Sequence, residues 1–387
     1  MRVYLDNAAT TALSPKVLEK MMPYMTELYG NPSSIHSFGR EAKSGVDRAR
    51  EQVAKAINAK PEEIIFTAGG TESDNTVLFG AVQRYKGKGN HIITTAVEHH
   101  AVLYACEQLE KSGLATVTYL PVDEYGRISA QQVADAITDK TILVSIMFAN
   151  NEVGTIMPVA EIGKVCREKG VLFHTDEVQP VGHVRVDVQQ MNIDFLSLSA
   201  HKFHGPKGVG ALYMRKGLKL PALLVGGAQE KNRRAGTENT PGIVGLGAAI
   251  ELAAANMDDT AARMIFLRDK LLKGIPARIS EVKLNGHPTE RLPNNVNFSI
   301  RYIEGESILL LLDLNGIAAS SGSACTSGSL DPSHVLLAMG MPHEIAHGSL
   351  RLSLGDETTE AEIDYVLETL PKVVERLRAM SPLYPTK

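Results

Sequence analysis

Four short stretches of this 387-residue sequence carry residue types suited to covalent chemistry. The run Ser197, Leu198, Ser199, Ala200, His201, Lys202 follows an apolar stretch and leads into a glycine-rich turn containing Gly205 and Gly208. A lysine in that position suits Schiff-base chemistry, because small residues and the turn leave room for a bulky cofactor. A solvated loop lysine is the plain alternative. Upstream, VLFHTDEVQ delivers Asp176 at the end of an apolar stretch, with Gln179 three residues later. A carboxylate there can pair with a protonated pyridine nitrogen and keep the ring electron-withdrawing, or it can be an ordinary turn or N-cap aspartate. Thr67 to Ser73, including Gly69, Gly70 and Thr71, lies between EEIIFTA and NTVLFGAVQ. Backbone N–H groups at such a helix start can hold a phosphate, although a purely structural glycine turn reads the same way. Cys325 sits among small residues in SSGSACTSGS, where an accessible thiol can react and an incidental loop thiol fits equally well. Cys106 and Cys166 fall in helical patterns and read as small core residues.

The elements around these residues follow a repeating order. EEIIFTA, NHIITTAVEHH, ATVTYLPV, TILVSIMFAN, VLFHTDEVQ, IDFLSLSAHKF and GALYMR are apolar and rich in β-formers, with helical periodicity between several of them. That alternation predicts an α/β fold with a mainly parallel seven-stranded sheet between helices, its strands buried on both faces. Residues 42–57 and 130–137 carry apolar residues at helical spacing. After about Gly247 comes a long helical stretch, then a mixed texture through NVNFSI, ESILLLLDLNGIAASSGSAC and HGSLRLSLG, and a final helix from Glu360 to Met380. The expected division is a large domain over 15–255 and a smaller α+β domain of 1–14 and 256–387. No internal repeat or low-complexity tract interrupts it.

Composition narrows the function classes. Lys+Arg number 40 against 44 Asp+Glu, a net charge of -4, without the basic footprint of nucleic-acid binding. Three cysteines and no CxxC pair argue against a disulfide framework or a cysteine-rich metal site. No stretch is long enough for a membrane span, and a soluble cytoplasmic protein in a reducing compartment is the expectation.

In order along the chain, YLDNAATT, GNPSSIHSFG, GTES, VEHHAV, ANNEVGT, FHTDEVQ, SLSAHKFHGPKGVGALY, RRAGTEN, SSGSACTSGSLDPSHV and RLSLG resemble the NifS/IscS-type cysteine desulfurases. These are fold-type I pyridoxal-phosphate enzymes, and the strings look closer to the NifS branch. The resemblance implies that Lys202 forms the Schiff base with pyridoxal 5'-phosphate, Asp176 pairs with the pyridine nitrogen, Gln179 bonds the phenolic oxygen and His99 stacks on the ring. The phosphate would lie among Gly70, Thr71, Ser199 and His201, with Thr237 reaching across from the second subunit of a homodimer. Asn151 and Arg351 would hold the substrate carboxylate, a task that suits the planar fork of arginine.

The implied reaction takes sulfur from L-cysteine, leaves alanine, and stores the sulfur as a persulfide on Cys325, with His99 carrying a proton near neutral pH. A scaffold protein of the NifU/IscU kind would receive it for iron-sulfur cluster assembly, with a nitrogenase-related role as one setting. No metal belongs to the cofactor site itself, although Cys325 could touch a cluster on a partner. A selenocysteine lyase or other β-eliminating enzyme is the nearest alternative, and a catalytically idle assembly partner is a rival from another class. Glu177 and Pro180 stand where the family usually has small residues. Glu177 is expected to point away from the ring, and Pro180 to favour an extended Gln179.

Overall fold

The computed structural model describes residues 1–321 and 332–385. The chain opens with a short strand, β1 (Val3–Tyr4), and two helices, α1 (Pro15–Thr26) and α2 (Ser37–Ala56). Seven strands follow: β2 (Ile64–Thr67), β3 (His91–Thr95), β4 (Thr116–Leu120), β5 (Thr141–Ser145), β6 (Leu172–Asp176), β7 (Phe195–Ser199) and β8 (Gly210–Met214). Helices α3 (Gly70–Tyr85), α4 (His100–Lys111), α5 (Ala130–Ala136) and α6 (Val159–Lys169) connect many of them. The strands form one sheet in the order β2-β8-β7-β6-β5-β3-β4. Strand β8 runs antiparallel to both β2 and β7, and every other pairing is parallel.

Burial explains the sequence pattern. Strands β2, β3, β5, β7 and β8 are buried along their whole length. Edge strand β4 departs from the expectation of two buried faces: it has one neighbour, and Thr116 is exposed. Separate apolar cores lie on the two sides of the sheet. In α2, Ala42, Val46, Ala49 and Val53 recur at helical spacing and are buried, each valine stabilising by about 1.5–3 kcal/mol. Ser129 and Gln132 form a reciprocal cap on α5, and Gly170, at φ 66°, ends α6 in the left-handed conformation.

A third core uses other elements. Strands β9 (Val282–Leu284), β10 (Asn295–Ile300), β11 (Ile317–Ala318) and β12 (Ser349–Ser353) belong to it, with the helices Gly305–Leu314 and Glu360–Met380. The antiparallel sheet β12-β10-β9 and the parallel pair β1-β11 give this part its α+β character. The 39-residue helix Thr240–Arg278 joins the two parts, burying Ile243 to Ile250 in the first core and Leu267 to Ile275 in the second. Residue 255 lies inside this continuous helix.

The C-terminal ends of β6 and β7 open toward the N-terminus of α3, the place where parallel sheets usually bind ligands. Gly69, at φ 155° and ψ -176°, makes the turn from β2 into α3. A Cβ on Gly210 would strike the Leu198 carbonyl and come within 2.7 Å of Gly69, so glycine lets that turn lie against the sheet.

Candidate cofactor and substrate site

Lys202 ends a single 3-10 turn, Ala200–Lys202, directly after β7. Its Nζ donates to the backbone carbonyls of Ala8, at 2.6 Å, and Ala9, at 2.9 Å. The same N-terminal segment anchors the neighbouring residues. Thr11 donates its hydroxyl to the His201 carbonyl, and His201 Nδ1 lies 3.1 Å from the Thr10 hydroxyl. Gln179 Nε2 donates to the Ala8 carbonyl at 2.9 Å. Gln179 lies in a turn closed by the Val181 N–H on the Glu177 carbonyl. Proline fixes its own φ, but that turn's hydrogen bond bends the chain just past β6.

A cavity of about 440 Å³ opens beside the lysine turn, lined in part by Gly69, Gly70, Thr71, Ser199 and His201. Thr10, Lys207 and Gly208 complete much of the wall. The sequence reading of a phosphate cradle named none of these last three. A Cβ on Gly70 would lie 2.5 Å from Val178, so the α3 terminus can approach the end of β6 only as glycine. Asp176 closes β6, with one carboxylate oxygen accepting the Val178 N–H at 2.9 Å. Burial pushes its carboxyl up to about 6, against the opposing hydrogen bond and the nearby charge of Lys202.

His99 caps α4, its Nδ1 accepting the Ala101 N–H. Burial, then the charge of Lys202, brings this imidazole down to about 4. The ring is therefore uncharged at neutral pH, and with Nδ1 accepting, its proton resides on Nε2.

Arg351, on β12, is 3% exposed. It donates to the Asn151 carbonyl at 3.0 Å and to Asp6 Oδ1 at 3.0 Å. Its buried Nε has no hydrogen-bond partner among the described residues. Asn151 and Arg351 thus meet through the Asn151 backbone; Asp6 was not singled out in the sequence, and nothing local to it would have revealed a partner 345 residues away. Cys106 and Cys166 are buried, and burial pushes both thiols up to about 12. Cys325 lies outside the described residues. Thr237 is exposed ahead of the helix Thr240–Arg278 and is not among the residues lining the cavity.

The family model for aminotransferase class-V matches residues 3–366. The chain belongs to that family. Within it, the chain is 60% identical over 385 residues to a protein named cysteine desulfurase IscS from Clostridium botulinum, covering 99% of this chain and 97% of the relative. It is 57% identical to the cysteine desulfurase IscS of Methanosarcina thermophila, covering 99% and 94%. Among solved structures, a NifS-like protein superposes with TM-score 0.92 at 40% identity, covering 97% of this chain and all of that one. The apo structure of a cysteine desulfurase from Thermococcus onnurineus gives TM-score 0.87 at 27% identity, covering 97% and 95%. The family member described here is thus an IscS/NifS-like cysteine desulfurase homologue with the fold-type I architecture.

The residues present fit pyridoxal phosphate, the cofactor of this family. A Cβ at Gly70 would strike Val178 beside the cavity, the buried Asp176 carboxylate is held by one backbone N–H, and Lys202 stands within electrostatic reach of both Asp176 and His99.

Proposed function

We propose that this chain is a pyridoxal-phosphate-dependent cysteine desulfurase that converts L-cysteine to L-alanine and carries the released sulfur as a persulfide on Cys325. The observation that carries this reading is the convergence of Lys202, Gln179 and Arg351 on one N-terminal segment, through Ala8 and Asp6, beside a glycine-walled cavity. In this reading 15–255 forms the large cofactor-holding unit, and 1–14 with 256–387 the smaller one.

Lys202 would hold the cofactor covalently, Asp176 and Gln179 would fix its ring, His99 would cover the ring, and Gly70, Thr71, Ser199 and His201 would bind its phosphate. Bound pyridoxal phosphate supplies an electron sink for the charge left when the substrate loses its α-proton. Arg351, with Asn151 beside it, binds the substrate carboxylate and orients the amino acid. The Lys202 amine, once free, takes the α-proton. His99, neutral with its proton on Nε2, donates or receives a proton at the substrate sulfur or carbon. The Cys325 thiolate forms a bond to the substrate sulfur as the substrate's carbon-sulfur bond breaks. The bonding pair stays with the carbon, which takes a proton to give alanine.

A homodimer in which the exposed Thr237 reaches the partner's phosphate site belongs to this proposal, as does a NifU/IscU-type scaffold as sulfur acceptor. Product analysis tests it. Incubation with L-cysteine alone is expected to yield one alanine per persulfide, with the extra sulfur located by mass spectrometry on Cys325. Continued desulfurisation at the original rate in Cys325→Ala would overturn the persulfide step.

A further inference from the structure

We propose that Asp74 and His174 form a positioning layer behind Asp176, fixing its carboxylate relative to the phosphate cradle. This inference rests on the cofactor reading above.

His174 and Asp176 lie two residues apart on β6 and therefore share a face of the sheet. The register sets Ser145 of β5 beside His174, and Ser197 of β7 beside Asp176. His174 Nδ1 lies 2.8 Å from the Ser145 hydroxyl, and its Nε2 lies 3.0 Å from the Ser197 hydroxyl. From α3, Asp74 brings Oδ1 to 3.5 Å from His174 Nε2, and that oxygen has no hydrogen-bond partner among the described residues. Asp74, Ser145, His174 and Ser197 are all buried, none above 1% exposed.

Leu143, Leu172, Phe195, Leu212 and Met214 on the same side of the sheet belong to an apolar core. Four polar side chains set into such a layer cost desolvation that leucine or valine would avoid, so stability does not account for them. Their position does. Helix α3 begins at the cradle residues Gly70 and Thr71, and Asp74 lies one turn further along it. The Asp74–His174 contact thereby joins the helix that would hold the phosphate to the strand that ends in Asp176. Pyridoxal phosphate must span those two points, so their separation sets how well the ring nitrogen meets the carboxylate.

Charge points the same way. Burial and the charge of Asp176 hold the Asp74 carboxyl well above the usual range, and burial brings the His174 imidazole down to about 3. Glu98, the other carboxyl acting on Asp74, is pushed up to about 8 by burial. These directions favour an uncharged layer behind Asp176.

A double-mutant cycle tests this inference, with the dissociation constant of pyridoxal phosphate and the visible band of the bound cofactor as readouts. Asp74→Ala and His174→Phe are each expected to weaken binding about tenfold and shift the band, while Asp74→Asn, neutral like the protonated acid, stays within about threefold. In an Asp176→Asn background the Asp74→Ala penalty is expected to fall below about twofold, because no carboxylate remains to be positioned. Equal penalties in both backgrounds, unchanged binding, or an Asp74→Asn loss as large as that of Asp74→Ala would overturn the inference. If Asp74→Ala does not fold, His174→Gln, which keeps a donor and an acceptor, runs the same cycle with a smaller expected loss. A wild-type chain that takes up no pyridoxal phosphate would instead sink the reading of the site itself.

Discussion

Lys202 and Gln179 donate to the same backbone oxygen, the carbonyl of Ala8, at 2.6 Å and 2.9 Å. The lysine follows β7 and the glutamine follows β6, so one oxygen of the N-terminal segment registers the ends of two adjacent strands. Removing Gln179 leaves that oxygen to the lysine alone and frees the segment that sets where Nζ rests. Gln179→Ala is expected to lower kcat/KM about tenfold while changing stability by no more than about 1 kcal/mol. Lys202→Arg keeps the positive charge but cannot form a Schiff base, and is expected to lose both the visible absorbance and turnover. Absorbance spectra and steady-state rates on the two variants check this, and a fully active Lys202→Arg would remove the lysine from the chemistry.

Arg351 is arranged to be shared. One nitrogen faces the Asn151 carbonyl, another faces Asp6, and the buried Nε meets no acceptor among the described residues. A substrate carboxylate fits that third direction and competes with Asp6 for the positive charge. Arg351→Lys, which loses the planar fork, is expected to raise KM for L-cysteine by at least about tenfold. Asp6→Asn removes the competing charge and is expected to move KM the other way. The pair of KM values decides: a rise in both variants would make Asp6 a partner of substrate binding rather than its rival.

Much of this was legible because apolar runs that end abruptly in a polar residue mark the ends of buried strands. Asp176 and the SLSAHK run are found that way, and the glycines at 69 and 70 announce a turn that no larger residue fits. His174 was not singled out: an imidazole in an apolar strand must find partners, but its partners Asp74 and Ser145 lie 100 and 29 residues away. Contacts of the N-terminal segment are tertiary in the same sense: nothing local to Ala8 or Asp6 indicates the lysine or arginine each will meet. The long helix after Gly247 was legible from its helical pattern, and Ala253, Ala254 and Ala255 favour it; that its two halves pack against different cores is tertiary and was not.

Glu177 is a buried residue whose carboxylate no described residue hydrogen-bonds. It is fully buried beside Asp176, and neither carboxylate oxygen has a hydrogen-bond partner among the described residues. Burial, then the charge of Asp176, raises its pKa well above the ordinary value. The folded chain therefore keeps a proton that the unfolded chain releases above about pH 4.3. From that pH upward, until the folded group itself ionises, rising pH favours the unfolded state, by up to about 1.4 kcal/mol per pH unit. Glu177→Ala removes the titration, while Asp74 and Glu98 contribute equally to both proteins and cancel in the comparison. The variant is expected to gain stability relative to the wild type as pH rises from 5.5 to 8. Melting temperatures of both proteins at pH 5.5 and pH 8 measure this. A gap between them that stays constant with pH would mean that Glu177 finds a partner in the folded protein.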